Sequence, residues 1–299
     1  MITLVFLRRG LKIHRWQGPA DVIHAAHSKI TLLTLKTGIG TIVSVFISVS
    51  AGASVGIYGP LVHLGAFFSR MFNSVLRSVS LSQDMLIGCG VAAAISAGFN
   101  APIAGMIFAH EVVLRHFSMR ALAPIAIASI SSFAVSSSLF EDVRWLRLET
   151  DVPSILSLSP GLLISGLIFG VVAIVIMRCQ IFASKWALGS GLADWQLGGL
   201  AVAICSVVGF YVPEVLGLGA SIIQGMLSLE FGFLTLLIFL FAKLIVTVAS
   251  TCFGFSLGIF SPCLFIGAAA GGVAAYVAEF LGFSVSPPIF MICGLAAIS

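Results

Sequence analysis

The apolar first third of the chain contains the stretch Gly56-Ile57-Tyr58-Gly59-Pro60, and a close copy of it occurs once more. The copy is Gly258-Ile259-Phe260-Ser261-Pro262, and it begins 202 residues later. Gly65 and Gly267 keep the same separation, so the similarity extends beyond the five residues. Proline suits the first turn of a helix, where its missing N–H would have no intrahelical acceptor. The sequence therefore predicts two repeats, each with an interrupted helix at a matching place.

The composition is that of a membrane protein. Of the 299 residues, 59% are hydrophobic and only 9% are charged, and the mean hydropathy is +1.16. A soluble domain carries about 25% charged residues. The apolar runs are also much longer than the ~10-residue segments of a transmembrane barrel strand. We therefore predict an all-α fold: a multi-pass helix bundle embedded in the lipid bilayer of a cell or inner membrane.

Apolar runs separated by polar or glycine- and proline-containing segments predict the individual helices. The predicted helices cover 20–26, 30–55, 61–79, 85–99, 103–115, 121–139, 160–182, 195–212, 221–229, 231–253, 258–281 and a stretch from 287 onward. The polar segment 141–151 divides the chain, so we expect a single membrane domain over 1–299 with repeats at about 1–140 and 155–299. The sequence Ala-Ala-Ile-Ser at 93–96 recurs at 296–299, where the chain stops. We therefore expect a second repeat that is cut short in a partial product.

Several classes of function are disfavoured. The net charge of +4 is too small and too scattered to indicate nucleic-acid binding. The six cysteines lie in apolar stretches without a C-x-x-C pair, which is typical of buried small hydrophobic residues and not of disulfides or metal ligands. No nucleophile with its base, phosphate loop or metal-ligand cluster stands out. We therefore expect no enzyme activity, no metal and no cofactor.

The two interrupted helices indicate an anion site. A helix N-terminus offers N–H groups and the positive end of the helix dipole. Two such ends, placed equivalently in two repeats, are expected of an ion site near the bilayer midplane. Glycines at 56, 59 and 258 would let an ion reach the backbone. The alternative is that these are packing glycines beside ordinary helix starts, but duplication at a fixed separation favours the anion site.

These motifs resemble those of the CLC family of chloride channels and chloride/proton antiporters. The family's G-[KR]-E-G-P resembles residues 56–60, and its G-x-F-x-P resembles residues 258–262. Its G-S-G-I-P falls, less closely, on Trp16-Gln17-Gly18-Pro19-Ala20, and FNAPIAGMIFAHE at 99–111 supports the match. The resemblance covers nearly the whole chain, without the family's first one or two and last few helices. It implies inverted-topology repeats, a homodimer with one pore in each subunit, and transport of chloride or a similar anion.

The resemblance also implies which residues contact the anion. In the family, helix N-termini of both repeats meet at a dehydrated chloride site, so that the backbone of Gly56, Ile57, Ile259 and Phe260 would face the ion. The family's selectivity serine falls at Gln17, whose amide can still donate to an anion. The full set of predicted anion-binding residues is Gln17, Gly18, Gly56, Ile57, Tyr58, Gly59, Gly258, Ile259 and Phe260.

Two departures from the family pattern bear on mechanism. The family's gating glutamate falls at Tyr58, and the internal glutamate that passes protons in antiporters falls at Val112. A tyrosine hydroxyl stays neutral at pH 7, and valine carries no proton. Passive anion conduction is therefore the favoured prediction. The alternatives are a chloride/proton antiporter with an unusual proton path, and a non-conducting membrane subunit or degenerate remnant.

Other polar residues in apolar segments leave alternatives open. Glu111 is either a functional residue near the cytoplasmic mouth, as a family glutamate is, or a partner of Arg115 one helical turn later. Lys243 either extends to an interface, which we favour slightly, or draws anions inward. His63 and His110 are expected to be packed or hydrogen-bonded residues and not metal ligands.

Overall fold

The structure is a computed structural model, and it describes residues 10, 18–27, 34–75, 82–140, 155–255, 258–283 and 286–298. These residues are predominantly helical and include no strand, which confirms the predicted all-α class. The α-helices are α1 (Pro19–His27), α2 (Leu35–Ser50), α3 (Tyr58–Val75), α4 (Gln83–Phe99), α5 (Pro102–Phe108), α6 (Met119–Leu139), α7 (Ile155–Gly189), α8 (Asp194–Tyr211), α9 (Ala220–Leu227), α10 (Phe233–Cys252), α11 (Phe260–Phe280) and α12 (Pro287–Ile298). A π-helix (Ala109–Leu114) follows α5, and a 3₁₀ turn (Pro213–Val215) follows α8.

Five helices in the described part of the chain are long and apolar enough to cross a membrane. They are α6, the Ser165–Gly189 part of α7, α8, α10 and α11. Large apolar side chains lie on their exposed faces, for example Phe210 on α8 and Phe241 on α10. These faces suit a hydrocarbon environment, and the protein is an integral membrane protein.

The described residues form two compact units. The C-terminal unit contains Ile47–Gly56 and the described residues from 155 onward. The N-terminal unit contains the described residues of 10–46 and 57–140. The end of α2 and the segment after it therefore belong to the C-terminal unit, although they lie early in the sequence. The chain changes unit immediately after Gly56, within the first copy of the duplicated motif.

Helices α3 and α4 pack through glycines in the N-terminal unit. A Cβ placed on Gly65 would overlap the carbonyl oxygen of Gly90, and a Cβ on Gly90 would overlap that of Gly65. The backbones can approach this closely only because neither residue has a side chain. Val62, Ile87 and Val91 are fully or almost fully buried beside this contact.

Helices α11 and α12 make the same kind of contact in the C-terminal unit. A Cβ on Gly267 would overlap the carbonyl oxygen of Gly294, and the reverse also holds. Phe265 and Met291, one from each helix, lie in the buried core of this unit. The glycine duplicated at a separation of 202 residues thus has an equivalent packing role in each unit.

Most predicted helices agree with the structure, including those at 85–99, 121–139, 195–212 and 231–253, which are confirmed within two residues at each end. The prediction for 30–55 was wrong at its C-terminal end, because α2 stops at Ser50 and the chain turns at Gly52, whose φ is +85°. The helix predicted at 160–182 extends over Ile155–Gly189. The polar segment 141–151 lies outside the described residues.

Candidate functional site

The first half of the candidate site is the non-helical segment 51–57, which we call the first break. It follows α2 and is shaped by local bonds: the Ala53 amide donates to Ser48 O at 2.9 Å, and the Val55 amide donates to Ala53 O at 3.0 Å. Ser54 and Val55 are fully buried, and so is the backbone at Gly56. Irregular backbone in such a setting needs polar partners from elsewhere in the protein.

The leading glycines of the two motif copies contact each other. The Gly56 amide donates to the carbonyl oxygen of Gly258 at 2.6 Å. A Cβ on Gly258 would overlap the Gly56 carbonyl group, and a Cβ on Gly56 would lie 3.1 Å from the Ser261 amide nitrogen. The close approach of two backbones therefore accounts for both glycines. Because the Gly56 amide already has a protein acceptor, its predicted role as an anion donor is not required to explain this residue.

The two helices that follow the motifs begin in the same way. Their first residues are Tyr58 and Phe260, so each proline occupies the third helical position and not the first. The first backbone bonds run from Leu61 to Ile57 O at 3.2 Å and from Cys263 to Ile259 O at 3.0 Å. It stays a prediction that an anion is contacted by the backbone of Ile57, Ile259 and Phe260.

Ser261 is a residue of this region that the sequence reasoning missed. It is 6% exposed, and its hydroxyl has no hydrogen-bond partner among the described residues. The hydroxyl lies 3.2 Å from the position that a Cβ on Gly56 would take. A buried hydroxyl without a partner costs about 1–3 kcal/mol. The available signal was the serine in the second motif at the position where the first has Gly59.

In the N-terminal unit, Tyr58, which falls at the predicted gate position, is tightly packed. Its side chain is 4% exposed, and its ring stacks on Phe99 with 3.8 Å between centroids and 17° between planes. A Cβ on Gly98 would come within 3.2 Å of the tyrosine ring. The Tyr58 ring therefore packs closely against Gly98 and Phe99 at the end of α4.

The third motif is described only in part, since Gln17 lies outside the described residues. Gly18 immediately precedes α1, and its amide donates to the Asp21 carboxylate at 2.9 Å, while the Asp21 amide donates back to Gly18 O at 3.0 Å. Asp21 is 5% exposed and interacts electrostatically with the buried His63 of α3. The predicted packed role of His63 is consistent with its complete burial.

The internal glutamate position lies in the π-helix. Val112 is half-buried and Glu111 is exposed, whereas Arg115 has a left-handed backbone with φ +58°. The α-helical register assumed for a pair between Glu111 and Arg115 is therefore wrong. His110 is packed as predicted, with Nδ1 3.0 Å from Met106 O and its ring stacked at 5.4 Å on that of Phe117.

Lys243 does not extend to an interface, so the slightly favoured prediction for it was wrong. Its side chain is fully buried, and Nζ donates to the carbonyl oxygens of Val215 and Gly217, each at 2.8 Å. Nζ also lies 4.7 Å from the centroid of the Phe265 ring, a cation–π arrangement. These three contacts bind the ammonium group within the C-terminal unit.

Comparison with known proteins gives consistent matches over the whole chain. Residues 1–299 match the family model described as voltage gated chloride channel. The chain is 30% identical over 273 residues to a ClcB-like chloride channel protein of Ralstonia nicotianae, covering 89% of this chain and 63% of that protein. It is 30% identical over 267 residues to the H(+)/Cl(−) exchange transporter ClcA of Salmonella agona, covering 84% of this chain and 55% of the transporter.

Two solved structures share the fold. One is a CLC-type fluoride/proton antiporter, with a TM-score of 0.85 at 24% identity, covering 99% of this chain and 74% of that one. The other is a slow cyanobacterial Cl−/H+ antiporter, with a TM-score of 0.82 at 20% identity and the same coverage. At these identities, the likeness bears on the fold alone.

Proposed function

Because the chain belongs to the voltage-gated chloride channel family, we propose that it carries chloride or a similar monovalent anion across a membrane. The observation that carries this proposal is the Ser261 hydroxyl, which is buried at the start of the 21-residue helix α11 with no partner among the described residues. A hydroxyl can donate to an anion, and the helix start adds the positive end of a dipole. The amide of Gly56, the first residue of the first motif, donates to the carbonyl oxygen of Gly258 beside this helix start.

The favoured mode is passive conduction. Tyr58 falls at the predicted gate position and Val112 at the predicted internal proton position, and neither side chain can release and rebind a proton at neutral pH. The Tyr58 ring is held in a stack on Phe99. This supports a side chain that stays in place, unlike the mobile glutamate carboxylate that the family has at this position. A chain with these two residues moves anions without an obligatory proton exchange through those positions.

A chloride/proton antiporter is the second candidate, and two buried titratable groups support it. Asp21 and His63 interact electrostatically in the N-terminal unit, and both side chains are almost or completely buried. A buried acid beside a buried histidine is a candidate proton path that avoids both Tyr58 and Val112. The relative from Salmonella agona, which is 30% identical, is named as an H(+)/Cl(−) exchange transporter, and this also favours the second candidate.

Reversal potentials of the purified protein in planar bilayers test the two modes. At a fixed chloride gradient, passive conduction predicts a reversal potential that does not move when a pH gradient is imposed. Coupled exchange predicts a shift with the pH gradient, and His63→Gln would then remove that shift. Anion flux no greater than that of empty vesicles would reject both modes and support the non-conducting subunit.

We also propose a homodimer with one pore in each subunit, which follows from family membership. Single-molecule photobleaching of a singly labelled protein in liposomes should give two bleaching steps. A single step under conditions that preserve anion flux would mean that one chain is sufficient.

A further inference from the structure

Helix α10 has a polar face although it is one of the most apolar helices of the chain. This face carries four buried polar residues, of which the last three lie three or four positions after the one a turn earlier. They are Lys243, Thr247, Ser250 and Thr251. Polar groups at membrane depth are costly unless they bond to other groups of the protein. The partners of this face therefore indicate what it does.

One partner is the first break. The Thr247 hydroxyl and the Ser54 hydroxyl are 2.9 Å apart, and both side chains are at most 1% exposed. This bond joins residues 193 positions apart in sequence. Ser54 lies two residues before Gly56, whose amide is bonded to Gly258.

A second connection runs through Lys243, one helical turn before Thr247. Lys243 Nζ donates to Gly217 O at 2.8 Å, and the Gly217 amide donates in turn to Gly52 O at 3.2 Å. Gly217 has a φ of +62° and Gly52 has a φ of +85°, so both are turn positions that favour glycine. The first break is thus attached at residues 52 and 54 to one face of a single membrane-spanning helix.

We propose that Thr247 and Lys243 are positioning residues for anion passage, because α10 fixes the first break at Gly52 and Ser54 and so keeps Gly56 against Gly258. The proposal rests on the anion-transport function proposed above. Neither side chain need touch the ion. The contribution of α10 is to restrict the backbone that leads into the duplicated motif, which lowers the cost of ordering that backbone when an anion binds.

The test uses four single variants of the full chain in liposomes. Thr247→Val and Ser54→Ala each remove one hydroxyl of the bond while preserving most of the local volume. Thr251→Val is the control, since Thr251 lies one turn further along the same face and its hydroxyl bonds to Gln180 Oε1 at 3.0 Å and to Thr247 O at 2.8 Å, not to the first break. Thr247→Ser keeps the hydroxyl and should restore wild-type behaviour.

Two readouts separate positioning from general stability. Thr247→Val and Ser54→Ala should each weaken the apparent affinity for chloride roughly 3- to 10-fold, the range of one neutral hydrogen bond. The double variant should bind chloride no more weakly than the single variant with the lower affinity, because both changes remove the same hydrogen bond. Hydrogen exchange of the peptide covering 51–60 should accelerate in both single variants and stay at the wild-type rate in Thr251→Val.

Unchanged chloride affinity in Thr247→Val and Ser54→Ala would overturn the proposal, even if exchange became faster, because the bond would then hold the segment without serving transport. Unchanged exchange would overturn it as well. If wild-type protein shows no flux, the transport function itself fails, whereas the exchange comparison still shows whether α10 restrains the first break. Lys243→Met should act in the same direction with a larger effect, since it leaves two buried carbonyl groups without their donor.

Discussion

The amide of Gly56 donates to the carbonyl oxygen of Gly258 at 2.6 Å, so that the first residues of two motifs 202 positions apart are joined backbone to backbone. A side chain on Gly258 would overlap the Gly56 carbonyl. The duplicated glycines are therefore explained by their contact with each other, independently of any direct contact with an ion.

Gly258→Ala should separate the two motifs. Insertion of a methyl group against a fixed backbone costs about 1–3 kcal/mol, and we expect chloride flux to fall about tenfold or more. Flux into liposomes, normalised to the amount of folded protein, measures the effect. Gly170→Ala on α7 is the control, because nothing lies within 4 Å of a Cβ there. Equal flux in the two variants would contradict a role for the close glycine contact.

Ser261→Ala should weaken anion binding without weakening the fold. Removal of a buried hydroxyl that has no partner in the part of the chain that the structure describes should leave thermal stability unchanged or higher, because the cost of burying that hydroxyl is removed. Chloride affinity, measured by calorimetry, should fall by about three- to tenfold. Ser261→Thr keeps the hydroxyl and should bind like the wild type. If Ser261→Ala instead destabilises the protein and binds chloride normally, the hydroxyl has a structural role.

Tyr58→Ala should remove the aromatic side chain at the predicted gate position and increase anion conduction. Loss of a buried aromatic ring costs about 3–5 kcal/mol of folding stability, since the stack on Phe99 is lost and a cavity is left. Tyr58→Phe preserves the ring and should keep wild-type conduction. Single-channel or flux measurements compare the three proteins. Conduction that is the same in all of them would show that the ring lies off the anion path.

Tyr58→Glu should introduce a dependence on pH that the wild type lacks. The carboxylate is an anion above its pKa and competes with chloride, whereas the protonated form is neutral and does not compete. Conduction should therefore rise as the pH falls, the direction expected for a group that blocks only when ionised. The range from about pH 4 to about pH 8 brackets the pKa of a carboxyl group. Conduction that does not change over this range would contradict the placement of residue 58 on the anion path.

Gly90→Ala and Gly294→Ala should each prevent correct folding. A methyl group at either position would overlap the carbonyl oxygen of the facing glycine, Gly65 or Gly267. We expect little monodisperse protein in size-exclusion chromatography. Gly199→Ala on α8 serves as the comparison, because a Cβ there meets nothing within 4 Å. Normal yield from either of the two variants would mean that the helices can move apart at low cost.

The sequence predicted the helices and their breaks because those signals are local. Long apolar runs with glycine and proline at their borders placed α4, α6, α8 and α10 within two residues. The duplicated motif likewise predicted a helix start in each copy, at 61 and 258, and the structure has these starts at Tyr58 and Phe260.

The rest could not be predicted because it depends on contacts between distant residues. Nothing local distinguishes Thr247 from other membrane threonines, since its bond to Ser54 spans 193 positions. Lys243 looked like a residue that reaches an interface, because its acceptors Val215 and Gly217 are brought to it only by the fold. The π-helix at Ala109–Leu114 likewise interrupts a run that has an ordinary helical sequence.

The contacts of Gly65 with Gly90 and of Gly267 with Gly294 also limit how the protein can move. A slide of one helix along its partner would move each glycine away from the facing carbonyl oxygen, at a contact that leaves no room for a Cβ. No rotamer change can relieve this, because the touching groups are backbone. We therefore expect each helix pair to move as one body, so that a change of conformation would occur at the breaks and not within the pairs.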